Sequence, residues 1–438
     1  MKKKLVIYAP DNLIWREVGA ALGNLFNVEK IVDFKNEILG VFELSIEENI
    51  FDSQVELDQT DLMIYNQLVT RRGSYYNNYP MVRDEFFYLV KRAENLLMSS
   101  KPNYIVFSNI PHEGFDYILY RVAQKLNVKV IICHQSIFSN RFFLFETIED
   151  YGIFETSKKN DYPVIDLDSY FNEGLSYMKG VAGFSPLPEL IYYKCADYID
   201  RISFKKFLVT GSFRHRALKF LELFDNYVYS QRKKRFFSKD ISELISRETR
   251  YVYFPLHQQP ELTTSILGGI YEDHLLAIEH LTKLLPEDVM IVVKENPRQT
   301  NRYRSSSFFK RLLNIRNVFL VKSSTSSEYL LRNSLCSATI TGTIAWESAV
   351  MNKYCIVFGN TWYIGLRNII LYNDAARMLK RDFIDLISNK VEFDVTSCDR
   401  IFHKMPLGVV DDFYLRGLKD FDYRRNAQLV ANAIESGV

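Results

Sequence analysis

Four polar clusters between Tyr251 and Phe358 stand where apolar runs stop, and their residue types suit a phosphorylated, hydroxyl-rich ligand. His257, Gln258, Gln259 and Glu261 follow the run Tyr251–Leu256. Imidazole and amide groups both donate and accept hydrogen bonds, as a sugar or a nucleobase edge requires. Lys294 and Asn296 close the next run, VMIVV, and a lysine in that position can meet a phosphate as a point charge. Ser324 and Thr325 follow the third run, with Glu328 three residues beyond Thr325. That is capping-box spacing, which structure alone would explain, yet hydroxyls at a helix N-terminus also suit phosphate. Gly342 and Thr343 lie in ATITGTIAWES, a strand–glycine–helix junction. Gly342 lets backbone approach a ligand and Thr343 is expected to cap the helix. Glu347, four residues on and so on the same face, could hold ribose hydroxyls. Trp346 is expected in the core.

The first half carries a second set of reactive groups. His112, Glu113 and Asp116 follow the apolar run Tyr104–Ser108 and are candidates for nucleophile or general acid/base work. Asp116 could instead be a first-turn helix residue, which the helix dipole favours. His134, Gln135 and Ser136, with Arg141 nearby, occupy the same position after Val128–Cys133. No His/Cys spacing suits zinc, and no strand end carries a DxD-type carboxylate pair for Mg²⁺. GxGxxG, P-loop and GxSxG patterns are absent. The expectation is therefore no metal and no cofactor.

These clusters need strands and helices to position them. At 438 residues the chain is expected to form two domains. Its 47% hydrophobic and 25% charged residues exclude bulk disorder, and a net charge of +2 argues against a nucleic-acid partner. The five cysteines are odd in number, form no CxxC, and fit a reducing cytoplasm. The N-terminal apolar run is too short for a signal peptide, and no stretch reaches the roughly 20 residues of a membrane span.

Lys4–Ala9, the helix Asn12–Phe26 and Val28–Phe34 open the chain as β-α-β, and strands 104–108 and 128–133 with helices at 82–99 and 114–127 form a second such unit. Residues 40–80 are expected to be a loop or insertion. Helical periodicity appears at 186–200 and 214–232, and Val209–Ser212 could end a short strand. Strands are expected at 250–256, 289–294, 317–321, 337–341 and 354–358, with helices at 272–285, 326–333, 344–351, 373–388 and 424–436. The fold class is α/β, two Rossmann-like domains facing a central cleft. The expected boundaries are an N-terminal acceptor and catalytic domain over 1–245, a nucleotide-sugar domain over 246–370, and helices over 371–438 packing back across both. A basic-aromatic cluster (Lys205, Lys206, Arg214–Arg216 and Arg232–Arg235) is either a solvated helix face or a contact with an anionic membrane surface.

The ordered set FPLHQQPE, Gly268-Gly269, KENP, GTIAWES and FGNTWY resembles the bacterial capsule polysaccharide synthesis family, which includes Kdo transferases. The resemblance covers roughly residues 250–365, with weaker echoes at 104–150. It implies a GT-B-like, metal-independent glycosyltransferase moving Kdo or a related ulosonic acid from a CMP-activated donor to a surface glycan such as capsule. It also implies phosphate binding by the Ser323–Thr325 run. Members commonly carry His-Pro where this chain has Asn296-Pro297. The implied partners are a nucleotide-sugar donor and a glycan or lipid-linked glycan acceptor. The implied location is cytoplasmic, with a peripheral contact on the inner face of the membrane left open. A UDP- or CDP-donor transferase, a sugar-nucleotide epimerase and a non-catalytic capsule assembly or export partner remain alternatives.

Overall fold

The computed structural model describes residues 2–33, 54–70, 79–138, 140–152, 228–259, 261–299, 304, 306–415 and 421–437. They divide into two compact units, Met1–Gly180 with Val395–Val438, and Val181–Asp394. The expected helix 186–200, the strand 209–212 and the basic residues 205–216 lie outside the described residues.

The first unit is built on a five-stranded sheet of order β2-β1-β3-β4-β5. Its strands are β1 (Lys4–Ala9), β2 (Asn27–Asp33), β3 (Tyr104–Phe107), β4 (Lys129–Gln135) and β5 (Phe142–Phe145). The first four run parallel, and β5 returns antiparallel to β4. KLVIYA is apolar at every position after its lysine because both faces of the strand are covered. Leu5, Ile7 and Ala9 pack against Trp15, Val18 and Leu22 of the helix Leu13–Leu25 and against Val430, Ala431 and Ile434 of the helix Tyr423–Gly437. Tyr8 of the alternate set meets Phe107 and Phe115. Asn12 caps the helix Leu13–Leu25 through Trp15 N–H at 3.0 Å.

The second unit holds six parallel strands in the order β11-β10-β9-β6-β7-β8. These are β6 (Tyr251–Pro255), β7 (Met290–Lys294), β8 (Val318–Val321), β9 (Cys336–Thr339), β10 (Cys355–Val357) and β11 (Ile369–Leu371). Val252, Phe254, Ile291, Val293 and Leu320 face Leu275, Ile278, Leu281, Phe309, Leu312 and Phe383. Tyr251, Tyr253, Val292, Phe319 and Val321 face Leu330, Leu331 and Ile344 on the other side. This two-sided burial explains the unbroken apolar runs. In parallel sheets ligands collect at the carboxyl ends of strands where the strand order reverses. Those points lie between β1 and β3 in the first unit and between β6 and β9 in the second.

The five strands expected between 250 and 358 all form, each a residue or two shorter. Other expectations change. The segment expected as loop contains the helix Gln59–Thr70. It buries Asp61, whose carboxylate accepts from Arg121 Nε at 2.7 Å and Tyr117 O–H at 2.9 Å. The expected helix 373–388 is two, Tyr372–Ala375 and Lys380–Ser388, separated by extended backbone at Leu379. Of the tail, residues up to Asp394 belong to the second unit and those from Val395 to the first. Among the described residues no helix is long and apolar enough to cross a membrane.

Candidate functional site

In the second unit, the ends of β6, β7 and β9 bring together residues far apart in sequence. Lys294, the last residue of β7, donates from Nζ to Ser327 Oγ at 2.9 Å, and Tyr253 O–H donates to the same oxygen at 3.1 Å. Ser327 opens the helix Ser327–Asn333. Opposite, Thr343 Oγ1 donates to Glu347 Oε1 at 3.2 Å. Burial pushes the Glu347 carboxyl up, against the Thr343 hydrogen bond and the Lys294 charge. The Lys294 ammonium is pushed down by burial, with Glu347 opposing. No carboxylate of the described residues lies within ion-pair contact of Lys294. A half-buried cation with one hydroxyl partner and no touching counter-ion is a ready receptor for an anion.

Beside this cluster, His257 Nε2 lies 2.8 Å from Thr339 Oγ1, and that oxygen accepts Gly342 N–H at 3.1 Å. A Cβ on Gly342 would stand 2.7 Å from Thr339 Oγ1 and 3.1 Å from His257 Nε2, so glycine is what lets the loop close here. Tyr363 O–H donates to Gly342 O at 2.6 Å, and Tyr363 packs on Trp362, which packs on Trp346. Trp346 is buried in the core, as expected.

Several expected site residues have other partners. Gln259 is buried, donates to Glu272 O at 2.6 Å and accepts from Arg304. Arg304 also pairs with Glu295 at 3.0 Å, both side chains fully buried, and Tyr229 O–H reaches the same carboxylate oxygen at 3.1 Å. Gln259 thus belongs to a buried network that ties the loops after β6 and β7 together. Asn296 Oδ1 accepts from Arg298 N–H. Gln258 and Glu261 are half-buried, Glu261 as the residue preceding the one-turn helix Leu262–Ser265. The cap of Ser327–Asn333 is Ser326, through Tyr329 N–H at 3.3 Å, one residue beyond the expected Thr325, and Glu328 pairs with Arg332 instead. Ser324 is exposed and Thr325 half-buried. Thr343 does not cap its helix, because its backbone is already helical and its hydroxyl turns to Glu347. Sequence reasoning missed Tyr253, Ser327, Thr339 and Arg304. Only Tyr253 carried a signal, a phenol in a fully buried strand that had to find a partner.

In the first unit, the loop after β3 lies at the reversal between β1 and β3. Asp116 accepts N–H bonds from His112 at 2.6 Å, Glu113 at 2.7 Å and Tyr117 at 2.8 Å. Burial pushes its carboxyl up, and the His112 charge and these N–H groups oppose that shift. Both oxygens hold the loop onto the helix Phe115–Lys125, so Asp116 has the geometry of a scaffold carboxylate. Replacing Asp116 with Asn is expected to leave at least one of the three N–H groups short of an acceptor and to destabilise the first unit by about 1–3 kcal/mol, read by chemical denaturation.

His112 and Glu113 remain partly accessible. His112 Nδ1 faces Ile110 O at 2.6 Å, so it carries the proton, and Nε2 lies 3.3 Å from Glu113 Oε1. Asp411, from the C-terminal segment, is a further carboxylate on which the His112 charge acts; burial pushes it up. His134 Nδ1 meets Asn109 Oδ1 at 2.6 Å, and the ring packs edge-on to Tyr151. Burial pushes His134 down to about 3, with the His112 charge adding to it. The ring is therefore neutral in the folded protein but protonates near 6.5 when unfolded. Stability from His134 is complete above about pH 6.5 and falls as pH drops towards 3, by at most about 1.4 kcal/mol per pH unit. Melting curves between pH 7 and 4 should fall more steeply for the wild type than for His134→Gln.

Among the described residues no group of three or more His, Cys, Asp or Glu side chains gathers as a metal site. No protein-family model matches the chain, and no curated protein matches it. Similar solved structures include the beta-Kdo 2,7 transferase KpsC of Thermosulfurimonas dismutans, at 9% identity over 98% of this chain and 99% of that one, with a TM-score of 0.37. Others are the UDP-GlcNAc 2-epimerase of Methanocaldococcus jannaschii (14% identity, 91% and 98% covered, TM-score 0.27) and that of Neisseria meningitidis bound to UDP-GlcNAc (13%, 99% and 100%, TM-score 0.26). At these scores the α/β architecture rests on the chain's own two sheets.

Proposed function

We propose that the chain is a metal-independent glycosyltransferase that moves a sugar, Kdo or a related ulosonic acid, from a CMP-activated donor to a bacterial surface glycan. The single observation that carries the nucleotide site is Lys294, a half-buried ammonium at a strand end without a touching carboxylate. Ser327 Oγ accepts from both Lys294 and Tyr253, which leaves its own hydrogen to donate to a phosphate oxygen. Glu347, bonded through only one oxygen to Thr343, suits ribose hydroxyls. The donor itself is read from the motif resemblance, and His112 with Glu113 is assigned the acid/base chemistry.

Calorimetry with CMP, CDP and UDP tests this reading. Lys294→Ala should weaken the preferred nucleotide by roughly 10- to 100-fold, the worth of a charge-assisted contact. Unchanged affinity for all three nucleotides in Lys294→Ala would place the phosphates elsewhere. Preference for UDP, together with epimerisation in the absence of acceptor, would replace the transferase reading with an epimerase.

A further inference from the structure

We propose that Thr339 is a positioning residue that fixes His257 as its Nδ1–H tautomer, so that the ring stands beside Gly342 as a neutral hydrogen-bond donor to a ligand oxygen. The tautomer follows from counting hydrogens. Thr339 is fully buried, and its Oγ1 accepts Gly342 N–H. Its own hydrogen needs an acceptor, and among the described residues its one further partner is His257 Nε2 at 2.8 Å. If Nε2 carried the ring proton, the threonine hydrogen would be buried without an acceptor, a loss comparable to a full hydrogen bond. Thr339 therefore donates, Nε2 accepts, and the proton sits on Nδ1.

A neutral ring is enforced from the other side. Arg304 donates to His257 O at 3.0 Å, and its charge adds to burial in pushing His257 down to about 4. His257 is half-buried, and its Nδ1 is neither bonded within the described residues nor sealed from solvent. An open N–H at the reversal between β6 and β9, next to the loop that carries Thr343, is placed to meet an acceptor oxygen of the bound molecule. A neutral donor discriminates by geometry rather than by charge, so it suits a carbonyl or hydroxyl oxygen as well as a phosphate. The ligand part of this inference rests on the nucleotide-sugar reading above, and the tautomer part does not.

The test uses the full-length protein labelled with ¹⁵N-histidine and assigned with His257→Gln. In the ligand-free spectrum His257 should show a protonated Nδ1 and an unprotonated Nε2, against the Nε2–H form that exposed histidines favour. A protonated Nε2 overturns the assignment. Thr339→Val should shift His257 towards the Nε2–H form and weaken the preferred nucleotide or nucleotide-sugar by up to roughly tenfold, while Thr339→Ser retains both properties. A shifted tautomer with unchanged affinity overturns the donor role. If the wild type binds none of the nucleotides, the functional reading fails, and the donor role built on it fails too. The ligand-free spectrum still decides the tautomer.

Discussion

Arg304→Met should destabilise the second unit by about 3–5 kcal/mol, the largest effect expected of any single substitution in the sheet-end loops. The guanidinium and the Glu295 carboxylate are both fully buried, 3.0 Å apart, so removing one leaves the other as an uncompensated charge in a low-dielectric interior. Arg304 has more to lose than one pair. It also donates to His257 O, contacts Gln259 and His274 Nδ1, and lies 4.5 Å from the Phe308 ring. With the paired Gln259–Gln299 hydrogen bonds, this side chain ties the loops after β6 and β7 together. The double substitution Arg304→Met with Glu295→Met removes both charges and should recover much of the loss, because a buried pair is often matched by apolar residues of similar volume. Denaturation monitored by hydrogen exchange at the amides of β6 and β7 separates this unit from the other. A single substitution costing under 1 kcal/mol would mean that water reaches the pair.

That network shows what could and could not be read from the sequence. Five of the six strands of the second unit were legible because burial on both faces leaves them as runs of apolar and small residues; the three-residue β11 was not expected. Lys294 and Gly342 stood out because they sit where those runs end. The contact of Thr343 with Glu347 followed from helical spacing, whereas the cap expected of Thr343 did not form. The network partners were not legible. Glu295 and Arg304 stand nine residues apart with no apolar period in the sequence between them, and Gln259 looks the same whether its amide serves a ligand or a buried arginine. The run SSTSSE offers several hydroxyls at cap-like spacing, and only the backbone of Ser326 selects among them. Thr339 reads as an ordinary strand residue until His257 is placed against it. In the first unit, Asp61 hid a helix, because a buried aspartate looks like a loop residue until Arg121 and Tyr117 are seen beside it.

Glu113→Gln should lower kcat by about 10²-fold or more with KM little changed, if the His112–Glu113 pair performs the chemistry proposed for it. Of the carboxylates expected from sequence to react, Asp116 has both oxygens bound by backbone N–H groups, whereas Glu113 keeps a half-buried carboxylate whose Oε1 faces His112 Nε2 at 3.3 Å. His112 is held through Nδ1 by Ile110 O, so Nε2 is the nitrogen that can exchange a proton with Glu113 or with an acceptor hydroxyl. A transfer with retention needs a nucleophile about 3–3.5 Å from the anomeric carbon, and one with inversion needs a base in hydrogen-bond reach of the acceptor. The amide of glutamine can do neither, yet it preserves size and one acceptor oxygen, so folding should be little affected. The measurement is turnover of a CMP-ulosonic acid and a matched acceptor in the presence of EDTA, with His112→Gln alongside and nucleotide affinity as the control. Asp116→Asn should behave differently, losing stability first and turnover only as the loop loosens. Near-normal kcat in both Glu113→Gln and His112→Gln would move the chemistry to Glu146 or Glu149, since Asp150 is already engaged in a capping box with Thr147.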